Sequence, residues 1–515
     1  MSSGKSSGVP LSRRKFLAAS AAAIASTASV EPVPPMFSHN SESPTLGALT
    51  FPKDFLWGAS TSAYQIEGAA GEDGRAPSIW DEFCKKPGAI WNSQTGAVAC
   101  DHYHRYAEDV AWMREVRLRA YRFSISWPRV IPQGKGDVNP KGLDFYSRLL
   151  DELLRAGIAP FVTLFHWDYP LALENLGGWL NRDAADWFAD YAAVVARALS
   201  DRVHHWLTLV EPRSFVGSGF LIGEQAPGYK LSLAEGLRAG HNLMRAHGKG
   251  VQAIRANSRK PCEIGFAPDA SPALALPENP ENIAAAHAAT FSVAREYFQI
   301  EKWWHNNSWW LDPAFLGEYP ADGLAALGKD APEIAAGDME TIHQPLDFFA
   351  INIYGGNPVR AGAEGKPEFA AWPAGWPLTG MDWEVTPDAL YWGPKWLYER
   401  YKKPLLITEN GLSCRDWISL DGCVHDPQRI DFTSRYLRSL HRAMQEGISV
   451  RGYFHWSLLD NFEWAQGFKQ RFGLIFVDYP SQRRVLKDSA RWYAKLIASN
   501  GAALFRDQET CAAAP

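Results

Sequence analysis

His204-His205-Trp206-Leu207-Thr208-Leu209-Val210-Glu211-Pro212 and Pro404-Leu405-Leu406-Ile407-Thr408-Glu409-Asn410-Gly411 share one design. Each is a short apolar run that ends in a carboxylate and then in a chain breaker. A run apolar at nearly every position implies burial on both faces, which is the situation of a strand in a parallel sheet. Six further runs of this kind occur at 55–61, 120–126, 159–165, 262–267, 347–354 and 450–458. Between them lie amphipathic stretches with helical spacing, such as 142–156 and 183–199. Eight strands alternating with helices in one domain predict an α/β chain closed into a (β/α)8, or TIM, barrel over residues 51–500. An open, doubly wound sheet is the competing layout. Against it, neither G-x-G-x-x-G nor a phosphate-binding loop follows the first run.

Polar side chains collect where the runs end: Gln65 and Glu67, Arg122, His166-Trp167-Asp168, Glu211, Asn352 and Tyr354, Glu409 and Trp456. In a closed barrel these ends converge on one face, where reactive sites are built. A breaker straight after Glu211 and Glu409 leaves each carboxylate aimed into the barrel mouth. Two carboxyl groups facing one pocket suit acetal cleavage, one protonating the departing oxygen while the other attacks or activates water. A structural ion pair with Arg122 is the competing role for either glutamate.

Composition sets outer limits. The chain has 515 residues, 46% of them apolar, with 22 Trp, 18 Tyr and 26 Phe. Indole rings offer flat apolar faces with a polar edge, which suits the C–H faces of sugars as well as a packed core. The net charge of −5 and the absence of a basic run give no sign of a nucleic-acid partner. Six Cys (84, 100, 262, 414, 423 and 511) are too few for a disulfide scaffold, although Cys84 with Cys100, or Cys414 with Cys423, could pair. No Cys-x-x-Cys or His/Cys cluster marks a metal site.

Residues 1–28 read as an export segment. Arg13-Arg14 precede a short, mildly apolar, Ala-rich stretch that is too weak for a membrane span. This is the pattern of a twin-arginine signal, with small residues permitting cleavage after Ala28. The expected destination is the periplasm or beyond, without stable membrane association. Cleavage removes four basic and no acidic residues, taking the net charge from −5 to −9. Residues 29–50, rich in Pro and Ser, read as a linker, and 501–515 as a tail.

Several longer segments carry a resemblance. The chain from Phe51 to about Ile497 resembles glycoside hydrolase family 1, the β-glucosidase family. The matching stretches are Phe55–Gly68, Cys100–Tyr106, Tyr121–Arg129, His166-Trp167-Asp168, Gly223–Gly228, His241–Gly248, Ile407–Gly411 and Trp456–Phe468. The resemblance implies a barrel that needs no cofactor and retains configuration at the anomeric carbon. Its small-molecule substrates would be β-glycosides or oligosaccharides. By the same resemblance Glu409 is the nucleophile, Glu211 the acid/base, Arg122 the cation that orients Glu409, and Tyr354 a phenol on the same carboxylate. Asn352, in the same segment, joins this catalytic group. Gln65, His166, Trp167, Glu463 and Trp464 would grip sugar hydroxyls, Trp456 would be the stacking platform, Phe472 would line the pocket, and Trp383 would flank the leaving group.

Three positions depart from the family pattern. Val210 stands where the family has an Asn that bonds the sugar 2-hydroxyl, Ile353 replaces a common Tyr, and His455 precedes Trp456. Val210 therefore predicts altered recognition at C2. A transglycosylase would share every one of the catalytic residues, and a carbohydrate-binding homologue with weakened catalysis is the third reading.

Overall fold

The computed structural model describes residues 50–293 and 306–506. The expected export segment, the linker up to residue 49, and the tail from residue 507 lie outside the described residues. The barrel strands are β1 (Leu56–Ser60), β2 (Ala120–Ser124), β3 (Ala159–Phe165), β4 (His205–Val210), β5 (Glu263–Ala267), β6 (Phe348–Asn352), β7 (Leu405–Asn410) and β8 (Val450–Trp456). They close in the order β1-β8-β7-β6-β5-β4-β3-β2, and every neighbouring pair is parallel. The expected (β/α)8 barrel is the observed fold.

Helices form where the sequence supplies both a start signal and an apolar stripe. The helix Pro140–Arg155 begins with Asn139, whose side chain accepts from the Lys141 amide, and carries Pro at its first position. Phe145, Tyr146, Leu149, Leu150 and Leu153 repeat at helical spacing and are buried. Ser232 and Glu235 close a capping box on the long helix Leu233–Asn257. Smaller strands escape sequence reading: Ile475–Asp478 pairs with Arg483–Leu486, and Ala273–Ala275, Asn357–Ala361 and Pro367–Phe369 form a separate sheet. At three to five residues each, they are too short to show a period.

The barrel is filled, not hollow. Ala120, Phe161, Leu207, Val210, Ala267, Phe348, Ala350, Leu406 and Phe454 form one buried apolar plug inside the strands. Phe161 meets Phe454 edge to face at 5.0 Å. Register irregularities interrupt three of the ladders, β7–β8 among them, and two bear on the site. The β4–β5 register shifts between Leu207 and Val210, and the β6–β7 register shifts between Ile407 and Glu409. Each shift lies directly below one of the two strand-end carboxylates. Such bulges rotate the chain and re-aim the side chains that follow.

Neither cysteine pairing forms. Cys84, Cys100, Cys414 and Cys423 are all free thiols. Cys100 donates to the Asp460 carbonyl and Cys84 lies 3.5 Å from the Tyr64 hydroxyl, so other contacts occupy both groups. At the N-terminal end of the barrel His204, His205 and Glu263 come close enough to resemble a metal site. Protein partners hold all three: Arg451 donates to Glu263 at 2.7 Å, His204 bonds the Pro261 carbonyl, and His205 stacks on Phe161 at 4.1 Å.

Candidate active site

The C-terminal ends of the strands surround a cavity of about 450 Å³. That volume suits a small ligand held among a few converging polar groups. Glu211 and Glu409 both line it, as do His166, Trp167, Asn352, Tyr354, Trp383, Trp456, Glu463, Trp464 and Phe472. Of the strand-end and sugar-binding residues singled out from the sequence, Arg122, Gln65, Val210, Glu67 and Asp168 do not reach the lining; Glu67 is paired with Arg129 and Asp168 is fully buried. Arg122 lies behind Glu409. The Gln65 amide is taken up within the protein, accepting from Ser62 at 2.6 Å and donating to Asn461 and to the Phe462 carbonyl. The Val210 side chain belongs to the apolar plug, and its carbonyl accepts from the Trp167 indole at 3.0 Å.

Each carboxylate is held differently. Glu409, 3% exposed, receives a direct ion pair from the fully buried Arg122 and a hydrogen bond from the Tyr354 hydroxyl at 2.9 Å. Arg122 is itself fixed by a donor bond to Thr163 at 3.0 Å and a contact with His166 at 3.3 Å. Glu211 is held instead by an amide. Asn352 donates to it at 2.7 Å, and Thr408 donates to the other end of that amide at 2.8 Å, which fixes which way the Asn points. The Glu211 backbone is left-handed, with φ of 47°, and so are those of Trp167 at 77° and Trp464 at 47°. A non-glycine residue held there costs of order 1–3 kcal/mol, and here three line one cavity.

Electrostatics separate the pair. Burial pushes Glu211 well above the usual carboxylate range, and the charges of Asp269 and Glu409 push it further. Burial also raises Glu409, but the Arg122 charge and hydrogen bonds from Arg122, Tyr354 and Asn352 pull it back. The surroundings therefore favour the proton on Glu211 over Glu409, and the charge on Glu409 over Glu211. His166 is held well below its ordinary value by burial and by Arg122, so its ring is neutral. Glu463 is pushed up to about 8 by burial and by Glu409, and one of its oxygens has no partner among the described residues.

The aromatic groups divide the cavity. Trp456 is nearly buried and faces His166 at 5.9 Å, while Trp167 stacks on Trp464 at 4.8 Å. Trp383 is 39% exposed at the rim, 5.4 Å from Tyr354 and 6.1 Å from Phe472. Gly411 explains its own place after Asn410, because a Cβ there would come within 1.8 Å of the Trp456 carbonyl. The close approach of β7 to β8 thus depends on glycine.

Known proteins with this arrangement settle the family. The sequence profile of glycosyl hydrolase family 1 matches residues 48–502. Beta-glucosidase A of Thermotoga maritima is 42% identical over 452 residues, covering 88% of this chain and 98% of that one. The chain belongs to glycosyl hydrolase family 1. It is an enzyme that hydrolyses glycosidic bonds. Another family 1 relative, a bifunctional beta-D-glucosidase/beta-D-fucosidase from Bifidobacterium breve, is 42% identical over 88% of this chain and 99% of its own. Among solved structures, a beta-glucosidase from Thermotoga maritima in complex with glucoimidazole superimposes with a TM-score of 0.80 at 42% identity, covering 88% of this chain and 99% of that one.

Sequence reading missed part of this family 1 site. Arg213, Ser214, Ser218, Gln225, Asp269 and Ser271 also line the cavity. The signal for Asp269 was present, since it follows β5 after Pro268 as Glu211 follows β4. Arg213 and Ser214 lie on the short helix Pro212–Val216 and Ser218 on the helical turn Gly217–Ile222, both too short to show a period, while Gln225 and Ser271 lie outside helices and strands.

Proposed function

We propose that the chain is an exo-acting retaining β-glucosidase, with Glu409 as nucleophile and Glu211 as acid/base. One observation carries the reading: a carboxylate paired with Arg122 and bonded by Tyr354 shares a cavity with a buried carboxyl whose surroundings favour its protonated form. In the first step a Glu409 oxygen bonds the anomeric carbon as the bond to the leaving oxygen breaks. The Glu211 proton passes to that leaving oxygen. Esterification removes the Glu409 charge, so Glu211 is left as a free carboxylate that can accept a proton from water. The resulting hydroxide bonds the anomeric carbon, the ester bond breaks, and the Glu409 carboxylate returns. Two inversions give net retention, which requires carboxyl groups about 5–5.5 Å apart. Relatives that act on glucosides, a 1,4-beta-D-glucan glucohydrolase of Thermotoga neapolitana among them, support glucosides as substrates. The test is proton NMR of aryl β-glucoside hydrolysis. The β-anomer appears first, and an α-anomer appearing first overturns the assignment.

Recognition at C2 is proposed to be altered. The Val210 side chain packs into the apolar plug directly before Glu211 and leaves the cavity without a donor or acceptor from this position, whereas bonds to the sugar 2-hydroxyl strengthen in the oxocarbenium-like transition state. Losing about 2.7 kcal/mol of that stabilisation slows turnover about a hundredfold. The enzyme is then a weak glucosidase, or one that prefers a glycone deoxygenated or substituted at C2. Val210→Asn is expected to gain more on an aryl β-glucoside than on its 2-deoxy analogue. Equal gains on both substrates refute the idea.

Export through the twin-arginine route is part of the same proposal, on the strength of Arg13-Arg14 and the Ala-rich stretch behind them. Replacing both with Lys should leave the enzyme in the cytoplasm, and fractionation that finds it exported as before would exclude this route.

A further inference from the structure

Asp269 stands beside the acid/base with no role in the scheme above. It lies two residues past β5, and its position is set from two sides. Its backbone pairs with Asn352, whose amide nitrogen donates to the Pro268 carbonyl at 3.0 Å and whose carbonyl accepts from Ala270 at 3.0 Å. Asn352 is the residue that donates to Glu211. The Asp269 side chain is held by the residues two and three positions after Glu211. Arg213 Nε donates to Oδ2 at 2.9 Å, and Ser214 Oγ donates to the same oxygen at 2.8 Å. Both bonds fall on Oδ2, whereas the buried Oδ1 has no hydrogen-bond partner among the described residues. The Glu211 amide is tied to the same segment, donating to the Ala267 carbonyl at 2.9 Å.

We propose that Asp269 is a positioning residue whose fixed charge makes Glu211 hold its proton, and so sets the alkaline limit of catalysis. The proposal rests on the reading of Glu211 as acid/base. Other groups face Glu211 as well. Glu409 at the end of β7 acts in the same direction as Asp269, while Arg213 on the following helix and the Asn352 amide oppose it. Tyr354 after β6 and His166 after β3 share the cavity, the ring of His166 being neutral. Glu463, beyond β8, lines the same space and is itself pushed up to about 8. Among these charges Glu409 and Asp269 differ in kind. The Glu409 charge vanishes on esterification, but the Asp269 charge does not. Asp269 therefore keeps Glu211 a stronger base in the second step, when Glu409 no longer contributes.

The experiment is the pH profile of kcat/KM for Asp269→Asn on an alkyl β-glucoside, whose leaving oxygen needs a proton. The alkaline limb moves down by about one pH unit, the scale of one partly offset charge at this range, and the acid limb stays. Above the wild-type limb the variant is then about tenfold slower, with little change at lower pH. Asp269→Glu, which keeps the charge, restores the limb. On a dinitrophenyl glucoside, whose leaving group departs without protonation, kcat/KM of Asp269→Asn stays near wild type. Should Asp269→Asn fail to fold, Asp269→Ser is predicted to move the same limb in the same direction. An alkaline limb that stays put, or a profile that falls equally at every pH, overturns the proposal. Failure of the underlying reading looks different: Glu211→Gln would then retain wild-type activity on the alkyl glucoside.

Discussion

Glu409→Gln lowers turnover of an aryl β-glucoside by roughly 10⁴-fold or more, because the covalent step loses its nucleophile and no neighbour replaces it. The substitution is nearly isosteric. It exchanges one oxygen for an amide in contact with Arg122 and Tyr354, so Arg122 is left buried without its counter-charge. Removing one member of a buried pair costs about 3–5 kcal/mol, so the variant is expected to melt lower as well as to be inactive. Steady-state kinetics and a thermal melt check the two effects separately. Substrate binding to the variant should persist, since Trp456, His166 and Glu463 are untouched. A variant that keeps more than a few per cent of wild-type kcat would remove Glu409 from the role of nucleophile.

Glu211→Ala is expected to show its effect selectively. On an alkyl β-glucoside, where leaving-group protonation is essential, kcat/KM falls by about 10²–10⁴-fold. On a dinitrophenyl glucoside the first step survives, the ester on Glu409 accumulates, and the second step becomes limiting because water has lost its base. Added azide, a nucleophile that needs no base, should restore turnover and give a β-glycosyl azide. An equal loss on both substrates, or no rescue by azide, would count against Glu211 as the acid/base. In the wild type the pH profile has a matching sign. Activity falls on the acid side as Glu409 gains a proton, and on the alkaline side as Glu211 loses one. Because burial, Asp269 and Glu409 all raise Glu211, the alkaline limb lies well above the ordinary carboxylate range.

The eight strands and their parallel arrangement were legible because burial on both faces writes a nearly continuous apolar run, and because helical stripes separate those runs. The strand-end carboxylates were legible for a similar local reason, each standing between such a run and a breaker. Other features were not. Gln65 ends up bonded within the protein and Val210 packs into the plug, although both were expected at the sugar. Sequence fixes which residue ends a strand but not how far the chain has rotated by then.

That rotation is what the tertiary structure decided. The register shifts next to Glu211 and Glu409 belong to the pairing of strands far apart in the chain, and no local pattern encodes them. The same holds for Asp269. Its place after β5 is local information, but its closeness to Glu211 depends on two strands 52 or more residues apart in the chain being neighbours in the barrel. The sequence by itself determined the elements, their order, and the carboxylates that end β4 and β7, because these follow from burial and from chain breakers acting over a few residues. Which carboxyl keeps its proton was decided only in three dimensions, because burial and the placing of Arg122, Tyr354 and Asp269 are properties of the closed barrel.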